Sequence, residues 1–260
     1  MSNTVSRLVF GAALLPATLG LVWLGGWWLF GFAMALGVVG IHELGNMTRS
    51  LRPMVIAAYA GVALTLLGAQ LGGPGWALGG VAASLGLAFV LKGLSDTRGS
   101  VTVSVATTVL GTAWVGLGGA FLILLRGIPE HGRLACYAVL LAIFASDTFA
   151  YFGGRLLGRH KMAPILSPKK TWEGFGFGVA ACVFVAWVSV YDRHFLSHPQ
   201  ALVLGVAVAV AAPLGDLFES AVKRDMQVKD SGKLLGGHGG VLDRVDSILF
   251  AVPAAYYLVA

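Results

Sequence analysis

The sequence predicts an all-α polytopic membrane protein with about nine transmembrane helices and a polar site that faces the cytoplasm. Of its 260 residues, 57% are hydrophobic and only 12% are charged, whereas soluble domains carry roughly 25% charged residues. Apolar runs of about 20 residues, the length that spans a bilayer, recur along the chain. The charged residues collect in the gaps between these runs, together with glycine and proline.

The predicted spans are bounded by glycine pairs, prolines and charged stretches. They cover residues 8–24, 27–45, 54–71, 75–92, 103–125, 134–152, 173–191, 200–218 and 245–259. Because the first and last are short, eight or ten spans are alternatives. The first run leads straight into further membrane-like sequence, so we expect no cleavable signal peptide. We expect one integral membrane domain, residues 1–260, in which residues 1–126 serve mainly packing and residues 134–260 carry the site.

The distribution of lysine and arginine predicts the orientation. If the N-terminus is cytoplasmic, all of the 18 lysines and arginines except Arg126, Arg133 and Arg193 fall on the cytoplasmic side, as the positive-inside rule requires. The two long polar loops, 153–171 and 219–244, then lie on that side together. A site built from both loops would meet cytosolic substrates.

The upstream polar loop follows a carboxylate in the stretch S-D-T-F-A-Y-F-G-G-R. Asp147 ends an apolar run, and a carboxylate there is costly unless it is paired or faces a polar cavity. Tyr151 and Arg155 follow at i+4 and i+8, on the same helical face. Asp147 is therefore either a site residue or an interfacial aspartate neutralised by Arg155.

The stretch S-P-K-K-T-W-E-G, residues 167–174, places Lys169 and Lys170 just before a helix that Thr171 can cap. Cations at a helix N-terminus oppose the macrodipole. A bound anion would explain that cost. The alternative is an ordinary topology determinant or a contact to anionic lipid.

The stretch G-D-L-F-E-S-A-V-K-R-D, residues 215–225, repeats polar side chains at helical spacing. Asp216, Ser220 and then Lys223 or Arg224 lie at i, i+4 and i+7 or i+8. This spacing puts a carboxylate, a hydroxyl and a cation on one face of a helix that leaves the membrane. A site role is favoured over a purely structural carboxylate.

The next stretch, K-D-S-G-K-L-L-G-G-H-G-G-V-L-D-R-V-D, has glycines at positions 232, 236, 237, 239 and 240. Backbone with so few Cβ atoms can turn its N–H groups towards a phosphate. Lys229, Lys233 and His238 add donors. Asp243 and Asp246 follow at i, i+3, where acidic residues also stabilise a helix start for structural reasons alone.

Together these loops offer cations for phosphates and hard carboxylate oxygens for Mg²⁺, from Asp216, Asp243 and, as a further candidate, Asp147. Phosphoryl and nucleotidyl transfer need such cations, a metal and positioning. A Walker A motif and a Rossmann fingerprint are absent from the sequence, and no basic helix accompanies the net charge of +6, so we expect no nucleic-acid partner.

Residues 220–246 resemble the signature of bacterial phosphatidate cytidylyltransferases, also called CDP-diacylglycerol synthases. That signature runs S-x-x-K-R, then K-D, then H-G-G-x-x-D-R-x-D, and the chain matches each position. The stretches S-D-T-F-A-Y-F-G-G and S-P-K-K-T-W-E-G resemble the family as well. Gly236 stands where a proline is common, which should loosen the loop without removing a charged group.

The resemblance implies a reaction in which CTP and phosphatidate give CDP-diacylglycerol and pyrophosphate. The enzyme would lie in a bacterial inner membrane and would use Mg²⁺, and whether a second ion takes part is open. By analogy, Asp216 and Asp243 are the metal ligands. The residues expected to act in catalysis are Lys223, Arg224, Lys229, Asp230, His238, Arg244 and Asp246. Those expected to bind substrate are Lys169, Lys170, Ser220, Gly239, Gly240 and Asp147. Members of this family are also known as dimers, although nothing in this sequence indicates a homodimer.

Two other functions fit parts of the sequence. A CTP-dependent polyprenol kinase would share the phosphate-binding loops, but the D-R-x-D segment favours the cytidylyltransferase. A transporter would place charged residues at mid-bilayer in both halves of the chain, whereas here they cluster at one face of the C-terminal half. His42 and Glu43, at the end of the second span, are the one ambiguous pair in the N-terminal half, and a helix-end pair at the membrane interface is the favoured interpretation.

Overall fold

The computed structural model describes residues 16–95, 99–191, 196–232 and 239–260, which form a helical bundle with one β-hairpin. Helix α1 covers residues 16–24. The helices that follow are α2 (Gly26–Met47), α3 (Val55–Gly72), α4 (Pro74–Gly93), α5 (Val101–Gly111), α6 (Gly118–Arg126), α7 (Gly132–Leu157), α8 (Trp172–Val190), α9 (His198–Asp225) and α10 (Leu242–Val259). A π-helical segment, Thr112–Leu117, joins α5 to α6, and a 3-10 turn, Arg49–Leu51, follows α2. Strands β1 (Lys161–Ala163) and β2 (Ser167–Thr171) pair antiparallel before α8.

The polytopic, helical architecture expected from the sequence is confirmed. Seven of the helices in the described ranges are long and apolar enough to cross a membrane, counting Val101–Arg126 as one. The number nine is not confirmed. Of the first predicted span, 8–24, only residues from 16 onward are described. Helix α10, the last predicted span, carries Asp243, Arg244 and Asp246 near its start.

Helices α7 and α8 pack closely because small residues meet at their contact. A Cβ atom on Gly174 would come within 2.6 Å of the Ala150 carbonyl oxygen, and one on Gly178 would lie 3.0 Å from the Ser146 carbonyl oxygen. In a bilayer, burying apolar side chains between helices does not drive their association, because lipid tails are equally apolar. Close backbone packing of this kind stabilises the helix pair instead. The contact fixes the hairpin that joins α7 to α8 beside the polar end of α7.

The hairpin is anchored at both ends by local hydrogen bonds. The Thr171 hydroxyl accepts a hydrogen bond from the Gly174 N–H at 3.2 Å, so the predicted cap of α8 is present. The Glu173 carboxylate accepts the N–H groups of Arg159 and His160 and lies 2.6 Å from Nδ1 of His160. The polar loop 153–171 is thus an ordered extension of α7 followed by the hairpin.

Helix α1 is held against the bundle at the end opposite the polar loops. Nε of Arg126 donates to the Val22 carbonyl at 2.7 Å, and the Tyr137 hydroxyl donates to the Leu19 carbonyl at 3.0 Å. The Arg133 guanidinium lies 4.4 Å from the centre of the Trp23 ring. Carbonyls at a helix end need such partners. Two of the three cations outside the cytoplasmic set therefore have a structural role.

Candidate active site

A cavity of about 900 Å³ lies between α2, α6, α7, α9 and α10 and reaches the hairpin. One part of its wall is charged. Its ionisable side chains are Asp147, Arg155, Lys161, Lys169, Lys170, Asp216, Lys223, Asp243, Arg244 and Asp246. The remainder is mostly apolar and includes Phe32, Leu36, Leu122, Leu140, Ile143, Phe144, Ile248 and Leu249.

The two parts of the wall are separated along the helix axes. On α7, Leu140 lies seven residues before Asp147, which corresponds to about 10 Å at 1.5 Å per residue. On α10, which begins at Leu242, the charged positions Asp243 and Asp246 precede the apolar position Leu249. The charged end therefore lies at the C-terminal end of α7 and the N-terminal end of α10, and the apolar part extends deeper into the bundle.

Helix α9 supplies the carboxylate and hydroxyl expected from its spacing. The Ser220 hydroxyl donates to Oδ1 of Asp216 at 3.4 Å. The Lys170 ammonium, on β2, lies 2.8 Å from Oδ2 of Asp216 and donates to the Pro213 carbonyl at 3.2 Å. The hairpin lysine predicted to meet an anion is thus neutralised here by a carboxylate that was predicted to bind metal.

A second lysine links α9 to α10. Nζ of Lys223 lies 2.5 Å from Oδ1 of Asp243 and 3.3 Å from Oε1 of Glu219. Oδ2 of Asp243 accepts hydrogen bonds from the N–H of Gly240 at 2.7 Å and from the N–H and hydroxyl of Ser231, both at 3.0 Å. Asp243 therefore joins the lysine of α9 to both described edges of the glycine-rich loop.

Glu219 was missed in the sequence analysis. It is completely buried, and apart from its contact with Lys223 neither of its oxygens accepts a hydrogen bond from a described residue. Its position, three residues after Asp216 and four before Lys223, places it on the same side of α9. That spacing was the signal that could have identified it.

Asp147 faces the cavity rather than an arginine. Its side chain is exposed to the cavity and interacts electrostatically with Asp216, Asp246 and Lys170. The Arg155 guanidinium instead donates to the Tyr151 hydroxyl at 2.8 Å. Asp147 and Arg155 therefore do not form the expected interfacial pair, and the site role of Asp147 stays a prediction. Asp246 is buried nearby, with its Oδ1 accepting the N–H of Ser247 at 2.8 Å.

Several predicted residues lie elsewhere. Arg224, Lys229 and Asp230 are exposed and do not line the cavity. Arg224 follows Lys223 by about 100° around the helix, so only one of the two can face inward. Lys169 and Arg244 do line the cavity. Lys233, His238 and residues 234–237 lie outside the described residues, so their predicted roles stay predictions.

The interpretation of His42 and Glu43 as an interface pair is wrong for Glu43. His42 is exposed and contacts Asn46 and Tyr59. Glu43 is only 4% exposed, and its carboxylate accepts the N–H groups of Val241 and Leu242. The segment expected to serve mainly packing therefore reaches the start of α10. The partners of Glu43 are almost 200 residues away in sequence, so no local pattern could reveal the contact.

The carboxylates at the charged end suit Mg²⁺ as partners of substrate phosphates rather than as a complete set of metal ligands. Within the described ranges, no group of three or more histidine, cysteine or carboxylate side chains is arranged to hold a metal ion. Asp216 and Asp243 each have a lysine partner. Mg²⁺ is usually held by one or two carboxylates together with substrate phosphates. Phosphate groups that draw Lys170 and Lys223 away would free these carboxylates.

Comparison with known proteins identifies the family to which the chain belongs. Residues 5–260 match the model of the cytidylyltransferase family. A protein named phosphatidate cytidylyltransferase from Staphylococcus haemolyticus is 34% identical over 256 residues, covering 96% of this chain and 95% of the relative. Proteins of the same name from Staphylococcus epidermidis (34% identity; 88% of each chain) and Bacillus subtilis (37% identity; 58% of this chain and 56% of the relative) also match. The chain belongs to the cytidylyltransferase family, and the resemblance seen in its C-terminal signature is confirmed.

Proposed function

We propose that this protein is a phosphatidate cytidylyltransferase, which transfers CMP from CTP to phosphatidate and releases pyrophosphate. The observation that carries the proposal is the cavity, whose charged end continues into an apolar part. Such a wall suits an amphiphile with a phosphate headgroup. The names of the relatives specify the nucleotide and the lipid for those proteins.

The cations at the charged end would bring two polyanions together. Lys170 and Lys223 are held by Asp216 and Asp243, so incoming phosphates compete with carboxylates for the ammonium groups. Lys169 and Arg244 line the same wall and add positive charge. Positioned charges of this kind stabilise the transition state of phosphoryl-type transfer, because the charge that develops there is spread over the phosphate oxygens.

In the proposed reaction, an oxygen of the phosphatidate phosphate attacks the α-phosphorus of CTP. One P–O bond forms to that oxygen, and the bond to the β-phosphate oxygen breaks, so pyrophosphate leaves with the bonding electrons. The nucleophile is already an anion, and no strong general base is required. Bound Mg²⁺ would neutralise charge on the leaving group, with Asp216 and Asp243 as the proposed ligands and Asp147 as a further one.

The reaction and its metal dependence can be tested together. Protein purified in mild detergent would receive CTP and a short-chain phosphatidate, with Mg²⁺ or with EDTA. We expect CDP-diacylglycerol and pyrophosphate in equal amounts with Mg²⁺ and loss of both with EDTA. Turnover that continues in EDTA would contradict the metal assignment. No product from folded protein would contradict the proposed reaction itself.

The apolar part of the cavity is proposed to hold an acyl chain. Leu36, on α2, lines this part, and Val38, two residues later, is exposed on the outer surface of the bundle. We expect Leu36→Trp to raise the KM for a long-chain phosphatidate by about tenfold, equivalent to about 1.4 kcal/mol, because the larger ring occupies the space of the chain. The KM for a dihexanoyl substrate should change less, and the KM for CTP should not change.

Val38→Trp is the matched control for the acyl-chain prediction, because it adds the same ring on the same helix but outside the cavity. Equal effects of the two variants, or an equal effect of Leu36→Trp on long and short substrates, would contradict an acyl chain at this position.

The charged end is proposed to face the cytoplasm at a bacterial inner membrane. The lysine and arginine asymmetry supports this orientation, and CTP is a cytosolic substrate. A homodimer stays a prediction from family resemblance.

A further inference from the structure

Glu43 carries a negative charge from the N-terminal half of the chain into the start of α10. Its Oε1 accepts the Val241 N–H at 2.9 Å, and its Oε2 accepts the Leu242 N–H at 3.0 Å. Oε2 also lies 3.3 Å from the Ser231 hydroxyl. The side chain is 4% exposed and does not line the cavity. Any effect on substrates must therefore act through the residues that Glu43 holds.

We propose that Glu43 is a positioning residue for the transfer reaction, which fixes the start of α10 and thereby sets Asp243 and Lys223 for CTP. The inference rests on the proposed function, in which Lys223 is taken to hold the phosphates of CTP, and Lys169 and Lys170 to meet the lipid phosphate or the pyrophosphate. It assigns a role in catalysis to helix α2, outside the signature motif.

Glu43 caps the start of α10. The first N–H groups of a helix have no partner within the helix, and α10 receives no side-chain hydrogen bond from its own N-cap residue, Val241. Glu43 supplies the missing acceptors from another helix. A carboxylate also suits the positive end of the helix macrodipole, and its charge shortens and strengthens the hydrogen bonds that it accepts.

Two segments of the chain converge on the Glu43 carboxylate. The segments 231–232 and 239–242 are both built against it. A Cβ atom on Gly232 would lie 2.5 Å from Oε1 of Glu43, and one on Gly240 would overlap Oε2. Gly239 adopts a positive φ of 79°, a conformation that favours glycine. The glycines therefore permit the backbone to close around Glu43.

Ser231 links Glu43 to the charged end of the cavity. The Ser231 hydroxyl lies between the two carboxylates, 3.3 Å from Glu43 and 3.0 Å from Asp243. Asp243 in turn accepts the Gly240 N–H and holds the Lys223 ammonium. A displacement of the start of α10 would move these groups together. The apolar wall on α2, which ends at Gly37, lies about 9 Å further along the helix and would be little affected.

The test is Glu43→Gln, which preserves the size of the side chain but turns an NH₂ group towards one of the two N–H donors. We expect kcat/KM for CTP to fall by about tenfold or more, mainly through a higher KM for CTP, while the KM for phosphatidate stays within about twofold of wild type. His42→Ala, at the exposed neighbouring position, is the control and should leave kcat/KM for CTP, the KM for CTP and the KM for phosphatidate unchanged.

A value of kcat/KM for CTP within about twofold of wild type in folded Glu43→Gln would overturn the proposal. Equal rises in both KM values would also overturn it, because they would indicate a merely structural role.

If Glu43→Gln does not fold, Glu43→Asp provides the test. It keeps the charge and withdraws the oxygens by one methylene, and the same selective rise in the KM for CTP is expected. An inactive wild-type protein would refute the proposed function instead, so the two failures are distinguishable.

Discussion

Replacing Asp243 with asparagine is expected to lower kcat by about 10²- to 10³-fold, the scale seen when one group positioned to stabilise a transition state is removed. Asp243 pairs with Lys223 and accepts hydrogen bonds from Ser231 and Gly240. It is also a proposed ligand of Mg²⁺. Asparagine keeps the shape of the side chain but loses the negative charge, which the Lys223 ammonium and the proposed Mg²⁺ both need. Initial rates with saturating CTP, phosphatidate and Mg²⁺ would measure the effect.

Asp230→Asn provides the matched control for Asp243→Asn. Asp230 lies in the same signature but is exposed and outside the cavity, so we expect nearly wild-type rates. Size-exclusion profiles and thermal unfolding in detergent would establish that both variants fold. Near-normal turnover in folded Asp243→Asn, or an equal loss in Asp230→Asn, would contradict the site described above.

Lys223→Met is expected to abolish turnover and also to destabilise the protein. Lys223 lies between two carboxylates, Asp243 at 2.5 Å and Glu219 at 3.3 Å, and Glu219 is completely buried. Removing the cation leaves the Asp243 carboxylate without its ion-pair partner and Glu219 without its contact, and breaking a buried ion pair in this way costs about 3–5 kcal/mol. A lower midpoint of thermal unfolding in detergent and loss of product formation would show the two effects.

A double variant separates the structural effect of Lys223 from the catalytic one. In Lys223→Met combined with Glu219→Gln, the buried carboxyl group that faced the lysine is replaced by a neutral amide, so part of the stability should return. Turnover should not return, because the cation proposed to bind phosphate is still missing. Arg224→Met, at the exposed neighbouring position, should be nearly neutral. Recovered activity in the double variant would assign Lys223 a purely structural role.

The fold was predictable wherever the sequence pattern is local. Long apolar runs specify membrane helices, and a threonine before the eighth helix specifies its cap, which the structure confirms at Thr171. The hairpin was not predicted, because strands of three and five residues, Lys161–Ala163 and Ser167–Thr171, are too short to show a period-2 pattern.

The site was predictable to the same extent. Asp216, Ser220 and Lys223 share a face of α9, so their spacing predicted their proximity. That spacing fits Lys223 and Arg224 equally well. Only the structure shows that Lys223 faces the cavity and that Arg224 is exposed. Glu43 could not be predicted, since its partners at Val241 and Leu242 are brought close only by the packing of α2 beside α10.

We expect the CMP moiety of CTP, and not its γ-phosphate, to be transferred to the lipid. The most direct measurement uses two samples of CTP, one labelled at the α-phosphate and one at the γ-phosphate, each incubated with purified protein, phosphatidate and Mg²⁺. We expect the α-label to enter the lipid fraction and the γ-label to leave as pyrophosphate. A γ-label in the lipid fraction, with phosphatidate or with a polyprenol, would show a lipid kinase and overturn the proposed reaction.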